Sequence, residues 1–208
     1  MIITVGHTKG GVGKSTIAAN LAVCFALDKK KVLLIDADVQ GSTMAFRASR
    51  GKEDIKAMAI NKPTLHKDLK GLTDIDAIVV DSGGRDFGVF RSAILAADLL
   101  IIPCLASQVD FWANDDLLKI IEEARPFRPD LKVFFLFNLM QPNTTISKEA
   151  KELINNYSDD IKALHTQLNQ RVAYKNSYGE GKGVVEWTDN KAKDEMKNLY
   201  NEILGVKI

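Results

Sequence analysis

Three glycines set between two lysines, in Lys9-Gly10-Gly11-Val12-Gly13-Lys14-Ser15-Thr16, restrict this chain more than any other stretch of it. Ahead of them the apolar run Ile2-Ile3-Thr4-Val5 has the pattern of a short buried strand, and Ile17 to Leu27 behind them has that of a helix. Gly10, Gly11 and Gly13 let the intervening backbone turn so that its N–H groups point inward at the helix N-terminus, where unpaired donors and the helix dipole favour an anion. The stretch fits G-x-x-x-x-G-K-[ST] once the first position, at Thr8-Lys9, is relaxed. Gly10 to Gly13 and Thr16 then form a cradle for phosphates, Lys14 reaches the β- and γ-phosphates, and the Ser15 hydroxyl ligates a bridging Mg²⁺. An ordinary glycine turn with two surface lysines would not need the strand before it and the helix after it.

The rest of the chain repeats the alternation. Uninterrupted apolar runs recur at Val32-Leu33-Leu34-Ile35, Ala77-Ile78-Val79-Val80, Leu99-Leu100-Ile101-Ile102 and Val133-Phe134-Phe135-Leu136-Phe137, separated by helical stretches. Strands apolar along their whole length belong to a parallel sheet covered on both faces. The expectation is an α/β chain with a P-loop NTPase fold: a mostly parallel sheet, helices on both faces, and one domain spanning residues 1–208. In such sheets ligands sit at the carboxyl ends of the strands, where Asp36, Asp38 and Asp81 would emerge beside the glycine loop. Asp81 ends its strand as the carboxylate of an hhhhD pattern, which contacts Mg²⁺ in P-loop proteins; the other use of a strand-end aspartate is to cap the next turn.

Composition narrows the classes. The net charge is +1, so any nucleic-acid binding must come from a local patch rather than from bulk charge. Cys24 and Cys104 are far apart among apolar neighbours, with no C-x-x-C, which fits buried thiols in a reducing compartment and not a thiolate-bound iron–sulfur cluster. No leader precedes the first strand and no apolar run is long enough to cross a bilayer, so a soluble, cytoplasmic chain is expected. His7, His66 and His165 lack ligand-like spacing, and His7, beside the glycine loop, is a turn residue rather than a base.

Lys9 departs from an ordinary phosphate loop. A second lysine cannot easily share phosphate oxygens with Lys14 in one chain, but two loops face to face could each lend a lysine to the other's nucleotide. Here the chain resembles the deviant Walker A ATPases of the ParA and MinD superfamily, whose loop is written K-G-G-x-G-K-[ST]. The resemblance implies ATP and Mg²⁺ as ligands, a homodimer when ATP is bound, and Lys9 as the lysine that crosses between subunits. Asp36-Ala37-Asp38-Val39-Gln40-Gly41 matches the second signature, D-x-D-P-Q-G, with Val39 in place of proline. It implies that Asp38 positions or activates the attacking water and that Asp36 belongs to the Mg²⁺ surroundings. Asp81-Ser82-Gly83-Gly84-Arg85 departs from the family's D-[CT]-P-P, which leaves the roles of Ser82 to Asp86 open.

The resemblance covers essentially the whole chain. Ile101-Ile102-Pro103 and Asp110-Phe111 look like the family's lead into an interface helix, Asn114 to Ala124. Asn138 closes a strand where relatives hydrogen-bond adenine, though a polar residue there also serves simply as a cap. Farther on, Arg171, Lys175 and Lys182 are candidates to track the phosphates of duplex DNA, supported by Tyr174 and Tyr178; the alternative is a solvated face with aromatic packing. The strand begins at Ile2, without room for a preceding helix-turn-helix domain, so DNA binding without sequence preference is expected. The last helix, Asn190 to Leu204, carries acidic residues along its polar face, which fits packing on the core and not a membrane-targeting helix. The implied protein is a small ParA-type ATPase, nucleoid-associated, which with a ParB-like or adaptor protein that stimulates hydrolysis partitions plasmid or chromosomal DNA or positions another cargo. A MinD-like membrane-associated ATPase is the alternative class, and a small-molecule ligase of the dethiobiotin synthetase type a third.

Overall fold

Alternation of short apolar strands with helices gives, in the computed structural model, a seven-stranded sheet ordered β3-β2-β4-β1-β5-β6-β7, parallel throughout. The structure describes residues 1–83, 86–105, 116–141, 148–156 and 159–206, without the side chains of 148–150 and 153. In chain order the elements are β1 (Ile2–Gly6), α1 (Lys14–Leu27), β2 (Val32–Asp36), α2 (Ser42–Ser49), β3 (Ile55–Ala59) and α3 (Leu65–Asp68). There follow β4 (Ala77–Ser82), α4 (Phe87–Ala96), β5 (Leu99–Cys104), α5 (Asp116–Ala124), β6 (Lys132–Phe137), α6 (Lys148–Asn155), β7 (Ile161–Ala163), α7 (Val172–Gly179) and α8 (Asn190–Leu204).

Strand periodicity divides the core in two. Ile3, Val5, Leu34 and Val79 face α1, α7 and α8, while the intervening Leu33, Ile35, Ile78 and Val80 face α3 and α4 on the other side. Leu100, Ile102, Val133 and Phe135 continue that second face under α5. Each such side chain, fully buried, contributes about 1.5–3 kcal/mol relative to an exposed one. Helix α1 is buried from Ile17 to Ala26 on nearly every side, so it has no polar face and serves as the central helix of its layer. It stops where Lys29 takes a left-handed backbone, φ 62°, and the Lys30 N–H bonds back to the Phe25 carbonyl at 3.1 Å.

The four later strands anticipated from apolar runs are present, each extended by one or two residues, and α1 begins at Lys14 rather than at Ile17. That extension carries helix geometry into the glycine loop itself. The interface helix expected from Asn114 is described from Asp116 to Ala124; Asp110, Phe111 and Asn114, like Arg85, lie outside the described residues. Helix α8 packs as anticipated, with Met196, Leu199, Tyr200 and Ile203 buried. Among the described residues no helix is long and apolar enough to cross a membrane.

Two ties hold the C-terminal segment against the phosphate-loop side. Asn20 of α1, fully buried, donates to the Thr16 carbonyl at 2.8 Å and accepts from the Val184 N–H at 2.6 Å. Arg50, just past α2, pairs with Asp54 at 2.7 Å and with Glu186 at 2.8 Å, and donates to the Gly181 carbonyl at 2.9 Å.

Candidate active site

β1 and its neighbour β4 end side by side, so the loop after Gly6 and the carboxylate of Asp81 meet at one edge of the sheet. Gly11 and Gly13 have φ of 75° and 91°, a region side chains strain to enter, and Gly13 passes directly into the first turn of α1. A Cβ on Gly13 would also overlap the Asn138 amide, so this position excludes a side chain twice over. The result is a cleft of about 430 Å³ lined by Gly10, Gly11, Gly13, Lys14, Ser15 and Thr16 on one side and by Asp38, Gln40 and Ser42 on the other. Backbone N–H groups at the start of a 14-residue helix make it a seat for phosphate.

Lys14 is only 9% exposed. Its Nζ donates to the Lys9 carbonyl at 2.8 Å, and burial lowers its pKa against the opposing pull of the Asp81 and Asp38 charges. Lys9 is exposed at the outer rim of the same loop. Its amide donates to Nδ1 of His7 at 2.9 Å. His7 is thus a turn residue, as its position in the sequence indicated, and its ring does not line the cleft.

The three aspartates separate by environment. Asp81 is fully buried, and among the described residues neither of its oxygens meets a hydrogen-bond donor at bonding geometry. Burial pushes its carboxyl up to about 7; the neighbouring Ser15 hydroxyl opposes that rise, and the charge of Asp36 adds to it. A carboxylate with open lone pairs beside a hydroxyl is the donor set of a hard, oxygen-seeking cation, so Asp81 and Ser15 fit Mg²⁺. Asp36 stands opposite Asp81 in register, but its two oxygens accept from the Asp38 amide at 3.1 Å and the Met44 amide at 2.9 Å. It shapes the turn between β2 and α2, and both of its oxygens are engaged there rather than open to a cation.

Asp38 lies at the cleft wall, where Oδ1 accepts from the Gln40 amide at 3.0 Å. Its other oxygen rests against Gly83, where an added Cβ would overlap it. Sequence reasoning named the departure at residues 82–86 without finding its use, and the glycine itself was the signal.

Asn138 follows β6 and is buried. Its Nδ2 donates to the Val12 carbonyl at 2.8 Å, bracing the phosphate loop from a distant part of the chain. Beside it opens a second cleft of about 530 Å³, which shares Gly13, Thr16 and Leu139 with the first. Its lining includes Ile17, Leu168 and Val172, so the combined groove has a more polar end at the glycine loop and a more apolar end beside Asn138. Leu139 marks the junction with a left-handed backbone, φ 55°, a strained conformation for a side chain of its size.

The residues anticipated to contact DNA do not share one environment. Arg171 lines the more apolar cleft, with its guanidinium on Glu195 at 2.6 Å and both side chains mostly buried, 17% and 13% exposed. Lys182 pairs with Glu180 at 2.9 Å and lies 5.5 Å from the centre of the Trp187 ring. Lys175 is exposed on α7 and also lines that cleft. Tyr174 and Tyr178 do not support a DNA surface: the first hydroxyl faces Ala192 and Glu195, and the second donates to the Ser42 carbonyl at 2.8 Å with its ring 5.0 Å from Phe46.

A parallel sheet whose central strand runs into a glycine loop at a helix N-terminus, with carboxylates at the ends of the adjacent strands, defines a P-loop nucleotide-binding protein. Within that class the chain belongs to the CobQ/CobB/MinD/ParA nucleotide-binding domain family, which matches residues 3–185. It is 28% identical to the maintenance of carboxysome distribution protein A of Halothiobacillus neapolitanus, across 97% of this chain and 95% of that one. To the chromosome-partitioning ATPase Soj of Thermus thermophilus it is 26% identical, across 86% and 85% of the two chains. Among solved structures the ATP complex of McdA from Cyanothece superposes with a TM-score of 0.78 at 17% identity, covering 100% of this chain and 97% of that one. The fold and the family expected from the loop and the strand pattern are thereby established.

Proposed function

We propose that this chain is an ATP-driven switch of the ParA type. ATP and Mg²⁺ bring two subunits together with nucleotide at their interface, the dimer binds double-stranded DNA without sequence preference, and hydrolysis returns it to monomers. The observation that carries this reading is the division of labour between the two lysines of the loop: Lys14 is buried with its ammonium inside the loop, and Lys9 is exposed at the outer rim. On this reading Lys14 serves the nucleotide of its own chain, and Lys9, exposed at the rim, meets the nucleotide of a facing subunit.

The shape of the groove supports a reading of the remaining parts. Phosphates lie against Gly10 to Thr16, with the base in the apolar end beside Asn138. Bound Mg²⁺, held by Ser15 and Asp81, would neutralise charge on the β- and γ-phosphates. Asp38, on the opposite wall, orients or activates the attacking water. Among the anticipated DNA contacts Lys175 is the one exposed without a described ion pair, and it heads the candidate surface; Lys182 is secondary.

The two relatives, one named for carboxysome distribution and one for chromosome partitioning, support a role in partitioning DNA or positioning a cargo. On this reading the protein is cytoplasmic and nucleoid-associated, and a ParB-like or adaptor protein stimulates its hydrolysis. Helix α8 commits its apolar stripe to the core, which disfavours the MinD-like membrane alternative. The test is sedimentation with and without ATP, followed by retention on random-sequence DNA and flotation with anionic vesicles. ATP-dependent dimers that bind DNA in a salt-sensitive way are expected. Recruitment to vesicles without DNA binding would move the chain to the membrane class, and failure to dimerise with ATP would remove the switch.

A further inference from the structure

We propose that His7 is a positioning residue for Lys9: its neutral imidazole fixes the backbone of the lysine that meets a second subunit, and so sets dimerisation and hydrolysis without touching nucleotide. The inference rests on the switch reading above and deepens it.

His7 follows directly on β1 and is 4% exposed, although Lys9 and Gly10 just after it are exposed. An amide N–H only donates, so the 2.9 Å contact from Lys9 makes Nδ1 of His7 the acceptor and puts the ring proton on Nε2. The hydroxyl of Thr8 lies 3.4 Å from the same nitrogen. On its other side Lys9 offers its carbonyl to Lys14 Nζ at 2.8 Å. His7 and Lys14 therefore hold the Lys9 backbone from either side. A nucleotide that draws the Lys14 ammonium onto its phosphates removes the second hold and leaves the first. Beyond Lys9, no described residue comes within 4 Å of where a Cβ on Gly10 or Gly11 would lie. After nucleotide binding the imidazole remains an anchor that keeps the Lys9 backbone aimed. A role as general base does not fit: the ring is buried outside the cleft with Nδ1 engaged, and Asp38 already stands at the cleft wall.

Side-chain geometry supplies the test. Asparagine places an oxygen near the position of Nδ1, glutamine near that of Nε2, and leucine fills the volume with no acceptor. His7→Leu, His7→Gln, His7→Asn, Lys9→Ala and the double variant His7→Leu with Lys9→Ala are compared with the parent protein. Three quantities are read for each: ATP affinity at low protein concentration, ATP-dependent dimerisation by sedimentation, and turnover. Thermal melts check folding. His7→Leu and His7→Gln are expected to dimerise about tenfold more weakly and to turn over correspondingly slowly, the effect of one lost hydrogen bond, with monomer affinity for ATP changed by less than about threefold. His7→Asn is expected to restore dimerisation, which a merely volume-filling role would not produce. Adding His7→Leu to Lys9→Ala should cost nothing more, because both act on one element.

Parent-like dimerisation of His7→Leu, or an asparagine variant no better than glutamine, overturns the inference, as does an additive double variant. If His7→Leu melts below the assay temperature, the asparagine and glutamine variants alone decide. A Lys9→Ala protein that dimerises normally removes the switch reading and this inference with it. An impaired Lys9→Ala beside an unimpaired His7→Leu removes only this one.

Discussion

Oδ2 of Asp38 and the α-carbon of Gly83 are in such close approach that a methyl group on the glycine would overlap the carboxylate. The carboxylate in the cleft-facing turn after β2 is thus held by the residue two places after Asp81. Gly83→Ala is expected to displace Asp38 and lower ATP turnover by at least about tenfold, while nucleotide affinity changes by less than about threefold. Steady-state turnover beside equilibrium nucleotide binding measures it. Equal turnover in the variant would show that the position of Asp38 does not matter to the chemistry.

Asp38→Ala tests the same wall from the other side. With the water-orienting group gone and the phosphate seat intact, the variant should keep ATP and accumulate as a dimer. Sedimentation after prolonged incubation with ATP distinguishes this from the parent protein, which should return to monomers. Unchanged turnover would take Asp38 out of catalysis.

Asp81 gives a pH signature in the absence of Mg²⁺. Burial raises its carboxyl from the ordinary 3.8 to about 7, so the folded protein holds a proton that the unfolded chain releases. Stability from this group is complete below about pH 4 and is lost as pH rises to about 7. Melting temperatures measured in a chelator should fall across that window. Asp81→Asn should flatten the profile and melt several degrees higher than the parent at about pH 8, while losing Mg²⁺-dependent nucleotide affinity. A flat profile in the parent protein would contradict the assignment of a buried, proton-holding Asp81.

The two lysines should fail differently. Lys14→Ala loses a charge-assisted contact to the phosphates worth about 1.5–3 kcal/mol, and should weaken ATP binding by the monomer. Lys9→Ala should leave that affinity nearly unchanged and instead lower dimerisation and hydrolysis together, with DNA binding falling if two subunits are needed to present enough charge. Affinity at low protein concentration and sedimentation at high concentration separate the two cases.

On α7 the ion pair decides which charge reversal is informative. Arg171→Glu would set a second carboxylate against the mostly buried Glu195, and loss of stability by about 2–4 kcal/mol is expected whether or not DNA is involved. Lys175→Glu should leave the melting temperature unchanged and weaken DNA binding at every sequence, with a shallower dependence on salt. Undiminished DNA binding in the Lys175 variant would place the surface elsewhere.

What was legible in the chain follows from how local each feature is. The loop from Lys9 to Thr16 declares itself because strand, turn and helix are contiguous, and Asp81 because an apolar strand leads straight to it. The outer strands were not anticipated. Ile55-Lys56-Ala57-Met58-Ala59 and Ile161-Lys162-Ala163 sit at the edges of the sheet, where one side is exposed and the apolar run is broken by lysine. The pairings that finish the site were beyond reach for a different reason. Asn138 with Val12, Tyr178 with Ser42 and Arg171 with Glu195 join positions far apart in sequence, and no local pattern encodes them. Arg171 shows the limit well: a lone arginine in a basic stretch looks like a surface cation until Glu195 is brought against it.

The position of β1 in the sheet has a consequence for the order of events during synthesis. β1 leaves the ribosome ahead of both its partners, β4 and β5, so it waits for residues through Cys104 before both its edges are occupied. Its loop waits longer, since the Val12 carbonyl is braced by Asn138. A nascent chain therefore carries its glycine-rich loop well before the residues that brace it, and the loop takes its final shape only after Asn138 has emerged. ATP added to a stalled fragment ending before β6 would meet a sequence that spells the loop and a backbone that has not yet been given its shape.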